Sequence, residues 1–568
     1  MRRIIGVVAG ATVLVTGAAI TGTGGAGATS ARTRTAMPEA ITWGACEEAR
    51  PATGPLGQTL GQTLGRIGDA GAHVTRPVAG RRQAPVGDVE CGTLRVPLDY
   101  TVPEGQQISL ALNRIKGTAS RDGNHLGVML VNPGGPGTSG RSLAKFVAGS
   151  LPRDVAARYD VIGFDPRGVG ASEPALSCVD PERFFAPPRL DNVPRDAAEE
   201  RALVGRAREY ADACGNRWAW FLPYLTTENS ARDMDAIRSA LGEDKVSYLG
   251  YSYGTYLGAV YATLFPQRVR RLVLDSVVDP AGVWYDTNIA QDYAFDRRHR
   301  DFLDWVARND DVYGLGRTRS GLGFAWYSMR SRLRSRPAGG VVGPSELDDL
   351  YTVGGYSSSV WPRLAQVFSN YVKKGDTAGL VSAYRALVDN DAAEENSYAV
   401  YLGVECRDAA WPRDWTRWHA DTTRVATRAP FLSWPNAVYN APCAFWSERG
   451  GTPPAVGTAK LPPVLLFQAR HDAATPQAGA LRVRGLFPTA RLVTVPGGDH
   501  GVALAGNGCV DRYLAAYLRD GTTPPRRIGQ GVDAACDGAT EPRPVTPMAA
   551  GGPSGHALLT ELLMGRVR

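Results

Sequence analysis

Short apolar runs recur along the chain, and each ends in a Gly or Pro turn before a stretch with apolar positions at helical spacing. GVMLVNPGG (127–135) predicts a buried strand ending in a glycine loop, and YDVIGFDPRG (159–168) predicts a second, stopped by Pro and Gly. SARDMDAIRSALG (230–242) sets Met234, Ile237 and Leu241 at helical spacing after a polar start, with Gly242 as the stop. VSYLGYS then predicts a strand, YGTYLGAVYATLFP a helix and VRRLVLDSVVDP the next strand. LPPVLLFQARHDAATP (461–476) and ARLVTVPGGDHG (490–501) supply two more strands near the end. This alternation predicts an α/β fold, a mostly parallel sheet with helices on both faces. Between Asp279 and Leu461 the rhythm breaks, and 9 of the 12 tryptophans fall there. That stretch is expected to be a cap, with most of its aromatics forming its own core and about a third reaching substrate.

Length agrees with such an insertion, because 568 residues exceed what one hydrophobic core organises. Hydrophobic residues at 43% and charged residues at 21% are the balance of a globular protein. The start is different. Arg2 and Arg3 precede an apolar run from Ile4 to Ile20 and the small-residue site Ala26-Gly27-Ala28, so residues 1–28 are expected to be a signal peptide. No later stretch approaches the length of a membrane span, so the expected product is secreted, monomeric and without stable membrane association. The formal charge of +7 includes the two leader arginines and is too small and dispersed for a nucleic-acid partner. Eight cysteines lie outside the leader and none forms C-x-x-C, which points to structural disulfides in an oxidising compartment. Eight cysteines allow 105 connectivities; pairing between sequence neighbours is expected, beginning with Cys178 to Cys214 and Cys406 to Cys443.

The junction of strand and helix in KVSYLGYSYGTYLGAVYA holds Gly250, Ser252 and Gly254 as G-x-S-x-G. With 66 glycines in the chain the spacing alone says little, but a serine at a sharp strand-to-helix turn projects its hydroxyl from the sheet beside the free N–H groups of a helix start. Ser252 is therefore the candidate nucleophile. A hydroxyl needs a base, and His500 follows a strand and a glycine turn, whereas His471 and His556 lack that setting. Asp472, in the loop after the preceding strand, is the candidate orienting acid, with Asp275 and Asp279 as runners-up; Asp499 is expected to point elsewhere or shape the turn. The loop VNPGGPGTSG (131–140) offers bare backbone for an oxyanion, so Gly134 or Gly135 would pair with the N–H of Tyr253. Ser139 is expected to cap the following helix, and Arg167 in DPRGVGAS to tie loops together by ion pairing. No H-E-x-x-H or comparable ligand set occurs, so neither metal nor cofactor is expected.

In this order, NPGGPGTSG, YDVIGFDPRGVGAS, ARDMDAIRSALG with GYSYGTYLGAVYA, ARHDAATP and GGDHG resemble the secreted bacterial tripeptidyl aminopeptidases, α/β hydrolases related to the proline iminopeptidases. The resemblance spans roughly residues 90 to 540. It implies an α/β-hydrolase fold and a serine exopeptidase that removes short peptides from free amino termini, with the family's serine, aspartate and histidine mapping onto Ser252, Asp472 and His500. The proline iminopeptidases open the glycine loop with His-Gly-Gly-Pro-Gly, where this chain has Asn132-Pro133 before Gly134. The expected organisation is a signal at 1–28, an N-terminal extension or propeptide at 29–89, a hydrolase core at 90–280 and 456–540, a cap at 281–455 and a flexible tail at 541–568. The tail ends in an apolar HALLTELLMG stretch able to dock as a short helix.

An aminopeptidase must hold a protonated amine, so an acid should face the site from the cap. In YLGVECRDAAW (401–411), Glu405 and Asp408 flank Cys406 and are the candidates for substrate binding. A small-ester carboxylesterase or lipase would use the same triad, and a binding protein on a hydrolase scaffold is a third class; such a protein would usually lack a member of the triad.

Overall fold

The structure is a computed structural model that describes residues 40–46, 89–121, 123–388, 391–538, 541–544 and 555–564. The expected signal peptide lies outside the described residues.

The strands are β1 (Thr42–Ala45), β2 (Val89–Pro97), β3 (Gln107–Ile115), β4 (Val128–Asn132), β5 (Asp160–Phe164), β6 (Val246–Tyr251), β7 (Val269–Asp275), β8 (Val464–Ala469), β9 (Ala490–Val495) and β10 (Ala534–Ala535). Among the described residues they form one sheet in the order β1-β2-β3-β5-β4-β6-β7-β8-β9-β10. From β5 to β10 every neighbouring pair is parallel; β1, β2 and β3 run antiparallel along one edge and join at β5. Every residue of β4, β5, β6 and β8 is buried, as a parallel sheet covered on both faces requires. These are the strands that the apolar runs predict. The sequence pattern did not reveal β2, which fully buries only Leu94, Val96 and no other residue of its nine, because a half-covered edge strand leaves too little apolar signal. Within the expected N-terminal extension, the described residues contribute edge strand β1, fastened to β2 by the Cys46–Cys91 disulfide.

Before the insertion the longer helices are α1 (Gly140–Ser150), α2 (Ala197–Trp218), α3 (Thr227–Ala240) and α4 (Tyr253–Leu264), of which α1, α3 and α4 pack on the sheet. Between β7 and β8 the chain is helical, and α5 (Tyr285–Arg308), α6 (Pro344–Tyr356), α7 (Ala392–Asp408) and α8 (Ser433–Asn440) bear on the site. Part of this stretch has its own apolar core, which includes Trp305, Trp326 and Trp361. Helix α9 (Gly508–Asp520) follows the sheet's last long strand. Where the sequence predicts a flexible tail, Gly555–Leu563 forms helix α10, whose Leu559, Leu562 and Leu563 are buried in the core beneath the sheet. Burying a leucine contributes about 1.5–3 kcal/mol, which accounts for the docking. Cys178–Cys214, Cys406–Cys443 and Cys509–Cys536 complete four disulfides, all between sequence neighbours as expected. Among the described residues no helix is long and apolar enough to cross a membrane.

Candidate active site

Ser252 sits between the last residue of β6 and the first of α4 with φ 54 and ψ −129, a backbone state that costs a non-glycine residue on the order of 1–3 kcal/mol. Its neighbours make the turn possible. A Cβ on Gly250 would meet the Gly254 carbonyl oxygen at 2.5 Å, and one on Gly254 would meet the Asn132 carbonyl oxygen at 2.7 Å. Ser252 donates its N–H to the Asp275 carbonyl at 3.1 Å and accepts the Thr255 N–H at 2.8 Å, leaving its hydroxyl on a cavity wall.

The glycine loop after β4 closes against this elbow. Gly134 has φ 107, and a Cβ there would meet Ser252 Cβ and the Tyr253 nitrogen at 2.9 Å each. Its N–H is committed to Asn132 Oδ1 at 2.9 Å. Of the two glycines that the sequence singles out, Gly135 is therefore the one that lines the cavity beside Ser252 and Tyr253, while Gly134 provides close approach. Asn132, which with Pro133 stands before the glycines where the proline iminopeptidases open with histidine, thus shapes the loop through its side-chain carbonyl. Ser139 caps α1 as expected, and Arg167 is buried with its Nε and Nη2 donating to the two oxygens of Asp233 at 2.8 and 2.7 Å.

His500 lies after β9 and Asp472 after β8. His500 Nδ1 stands 3.0 and 2.9 Å from the two Asp472 oxygens, with both residues only 1% exposed. Asp472 also accepts the N–H groups of Ala474 and Thr475 at 3.0 Å each, and the Thr475 hydroxyl at 2.9 Å, so its position is fixed by four neighbours. His500 Nε2 is buried and makes no hydrogen bond, so Ser252 and His500 are not bonded to each other in this state; such bonds commonly tighten only with substrate bound.

The runners-up take other places. Asp275, at the end of β7, accepts the N–H groups of Val502 and Ala503 at 2.9 and 2.6 Å, while Ser276 Oγ accepts that of Gly501 at 2.8 Å. Burial pushes the Asp275 carboxyl up to about 7. Asp279 pairs with Arg482 at 2.8 Å. Asp499 turns from the imidazole to Arg298 at 2.6 Å and to the Ser358 N–H at 2.7 Å, as expected of a turn-shaping residue. His471 is half exposed and 4.0 Å from Asp301. From the helical insertion, the Tyr356 carbonyl at the end of α6 accepts the His500 N–H at 2.8 Å, and its ring meets the imidazole edge-on at 5.5 Å.

A cavity of about 390 Å³ opens at Ser252, with Gly135, Tyr253, Thr475, Asn288 and Glu405 among its walls. Glu405 is 4% exposed and burial pushes its carboxyl well above the usual range. Its contacts are neutral: the Tyr401 hydroxyl and Asn288 Nδ2, the latter at 3.5 Å. Asp408 does not line the cavity, contrary to expectation. It lies one turn further along α7, accepts the Thr227 N–H at 2.8 Å and the Thr227 hydroxyl at 2.5 Å, and so caps α3 from inside the core. The Thr227 hydroxyl is in turn 2.7 Å from the Tyr253 hydroxyl. Of the nine insertion tryptophans only Trp284 lines the cavity; tyrosines Tyr356, Tyr398, Tyr401 and Tyr439 do so instead. Thr475, Asn288 and Ser276 were missed from the sequence. For Thr475 the signal was available, since an Asp followed by a hydroxyl residue three positions on is a local turn motif.

Residues 127–506 match the family model of the alpha/beta hydrolase fold. A tripeptidyl aminopeptidase of Streptomyces lividans is 46% identical over 465 residues, which is 80% of this chain and 85% of that protein. A serine protease of Mycobacterium bovis is 35% identical over 467 residues, 77% of this chain and 86% of that protein. A carboxylesterase B of Mycobacterium tuberculosis is 34% identical over 457 residues, 77% and 85% of the two chains. With the elbow, the sheet order and these relatives together, the chain belongs to the α/β-hydrolase fold family, among its tripeptidyl aminopeptidase-like serine hydrolases.

Proposed function

We propose that this protein is a secreted serine exopeptidase that releases short peptides, tripeptides foremost, from free amino termini through an acyl-enzyme. The observation that carries the reading is the buried Asp472–His500 pair, tied through Thr475 to the cavity that the Ser252 elbow lines, with the acid Glu405 on the same cavity. Tripeptide length rests on the Streptomyces relative's name. Secretion is supported by four disulfides and by the leader expected at residues 1–28.

In the proposed mechanism Ser252 Oγ attacks the scissile carbonyl carbon as its proton passes to His500 Nε2. Asp472 holds the imidazole so that Nδ1 carries its proton toward the carboxylate and Nε2 is free to act as base. The developing oxyanion is taken by the N–H groups of Gly135 and Tyr253. Collapse breaks the C–N bond, His500 protonates the leaving amine, and water repeats the cycle on the ester. Glu405 receives the substrate's ammonium group, and residues 281–455 act as the cap that limits entry to chain ends.

The test is hydrolysis of a tripeptide chromogenic amide with free and with acetylated amino terminus, beside a short-chain ester, by wild type and Ser252→Ala. Cleavage of the free-amine peptide alone, lost in the variant, is the expected result. The carboxylesterase relative favours a second reading, an esterase with the same triad, and ester turnover indifferent to the amine would establish it.

A further inference from the structure

The cavity wall carries an arginine for which the aminopeptidase reading has no use. Arg206, on α2, lines its wall half-buried. Its guanidinium lies over the Phe184 ring, 3.9 Å from the centroid, and donates to the Phe184 carbonyl. Among the described residues no carboxylate pairs with it. Neighbouring Arg189, also on the wall, pairs with Glu346 at 2.9 Å and with Asp349. Burial and the repulsion of Arg189 hold the Arg206 pKa below its usual value. A partly desolvated guanidinium left with a carbonyl and a ring face gains strongly from an incoming anion, because its fork matches a carboxylate.

Its level in the cavity follows from α7. Glu394, Ser397, Tyr398, Tyr401 and Glu405 recur on one face of that helix and all line the cavity. Ser397 Oγ donates to the Gly137 carbonyl at 3.1 Å, so that turn stands beside the glycine loop and the nucleophile. Glu405 is about two turns further, roughly 12 Å along the axis. Phe184 packs on Tyr210 at 5.0 Å and Tyr210 on Tyr398 at 4.9 Å, while Phe185 meets Tyr398 at 6.2 Å. Arg206, over Phe184, thus belongs to the ring cluster whose member on α7 is Tyr398, beside Ser397.

We propose that Arg206 is the anion-binding group of a subsite next to the scissile bond, where it takes the carboxylate of an acidic side chain on a residue flanking that bond. The site rests on the peptidase reading for its substrate, and it adds a preference which neither the fold nor the relatives' names contain.

The experiment compares free-amine peptides bearing Glu or Gln as the third residue, on the acyl side, and as the fourth, on the leaving side. Wild type, Arg206→Gln and Arg206→Lys are measured, with thermal unfolding as the check on folding. Wild type is expected to favour Glu over Gln in kcat/KM at one of the two positions. That ratio falls by roughly tenfold or more in Arg206→Gln and by less in Arg206→Lys, which keeps the charge without the fork, and the position that responds identifies the side of the bond. Equal changes for Glu and Gln peptides in Arg206→Gln, or no preference in wild type at either position, would overturn the proposal. If wild type cleaves no free-amine peptide, the aminopeptidase reading falls separately. The subsite is then read from nitrophenyl esters of a dicarboxylic half-acid against a neutral ester of equal length, with the same ratio deciding.

Discussion

The Asp275 carboxylate accepts the Ala503 N–H at 2.6 Å and the Val502 N–H at 2.9 Å through the same oxygen, gripping the chain just past His500. With Ser276 holding Gly501, three consecutive N–H groups of the histidine loop end on the tip of β7. Asp275 is thus a positioning residue for the proposed base, although the sequence offers it as an alternative triad acid.

Removing that grip should affect rate before fold. Asp275→Ala is expected to lower kcat by tenfold or more with KM little changed, whereas Asp275→Asn, which keeps one acceptor oxygen, should retain most of it. The pH dependence of stability has a definite sign. The carboxyl titrates near 7 in the fold against 3.8 when unfolded. Between those values the native state holds the extra proton, so stability falls as pH rises, by up to about 1.4 kcal/mol per pH unit, and levels off above 7. Denaturant unfolding of wild type and Asp275→Asn from pH 4 to 8 checks this; an equal slope in the two would remove Asp275 as its source.

Asp472 presents both oxygens to His500 Nδ1 while four other protein groups lie within hydrogen-bond reach of it, the weakest being Gln468 Nε2 at 3.5 Å. Asp472→Asn keeps the shape but offers an N–H where Nδ1 must donate, which favours the wrong tautomer. A loss in kcat of about 10⁴ is expected, with an unchanged circular dichroism spectrum. A loss below tenfold would mean that another group orients the imidazole.

Strain at Ser252 gives a third test. Glycine adopts φ 54 without the cost that serine bears, so Ser252→Gly should abolish activity while raising stability by roughly 1 kcal/mol, whereas Ser252→Ala abolishes activity without that gain. Equal midpoints in denaturant for Gly and Ala variants would show that the elbow stores no strain.

Much of this arrangement was legible before the structure because it is local. Ser252, Asp472 and His500 each follow a fully or nearly fully buried strand, and such strands announce themselves as apolar runs ended by glycine or proline. What was not legible depends on distant chain. Asp408 and Glu405 lie in one turn of α7, and only the packing of α3 against that turn directs Asp408 to Thr227 and leaves Glu405 on the cavity. Arg206 reads as an ordinary surface arginine of α2 until Phe184 and Arg189 are brought beside it. Trp305, Trp326 and Trp361 serve the insertion's own core as expected, whereas Trp411, Trp418 and Trp446 pack into the core shared with the sheet and the smaller amphipathic tyrosines reach the cavity.

Glu405 carries the last prediction. Burial pushes its carboxyl well above the usual range, which favours the protonated form in the empty cavity. A substrate ammonium beside it favours the charged form, and binding a free-amine peptide therefore releases that proton. The affinity should rise with pH, with KM falling until the peptide's own amine begins to lose its charge near 7.7–8.0. Acetylated peptides, lacking the cation, should show no such trend. In Glu405→Gln the pH trend should vanish and KM for free-amine peptides rise by about 10- to 100-fold, since the ion pair with the ammonium is replaced by a hydrogen bond to an uncharged amide. Steady-state kinetics of one tripeptide amide from pH 5.5 to 8.5, for wild type and Glu405→Gln, decide the matter. A wild-type KM that is flat across this range, or that climbs with pH, would assign the amine to a different group on the cavity wall.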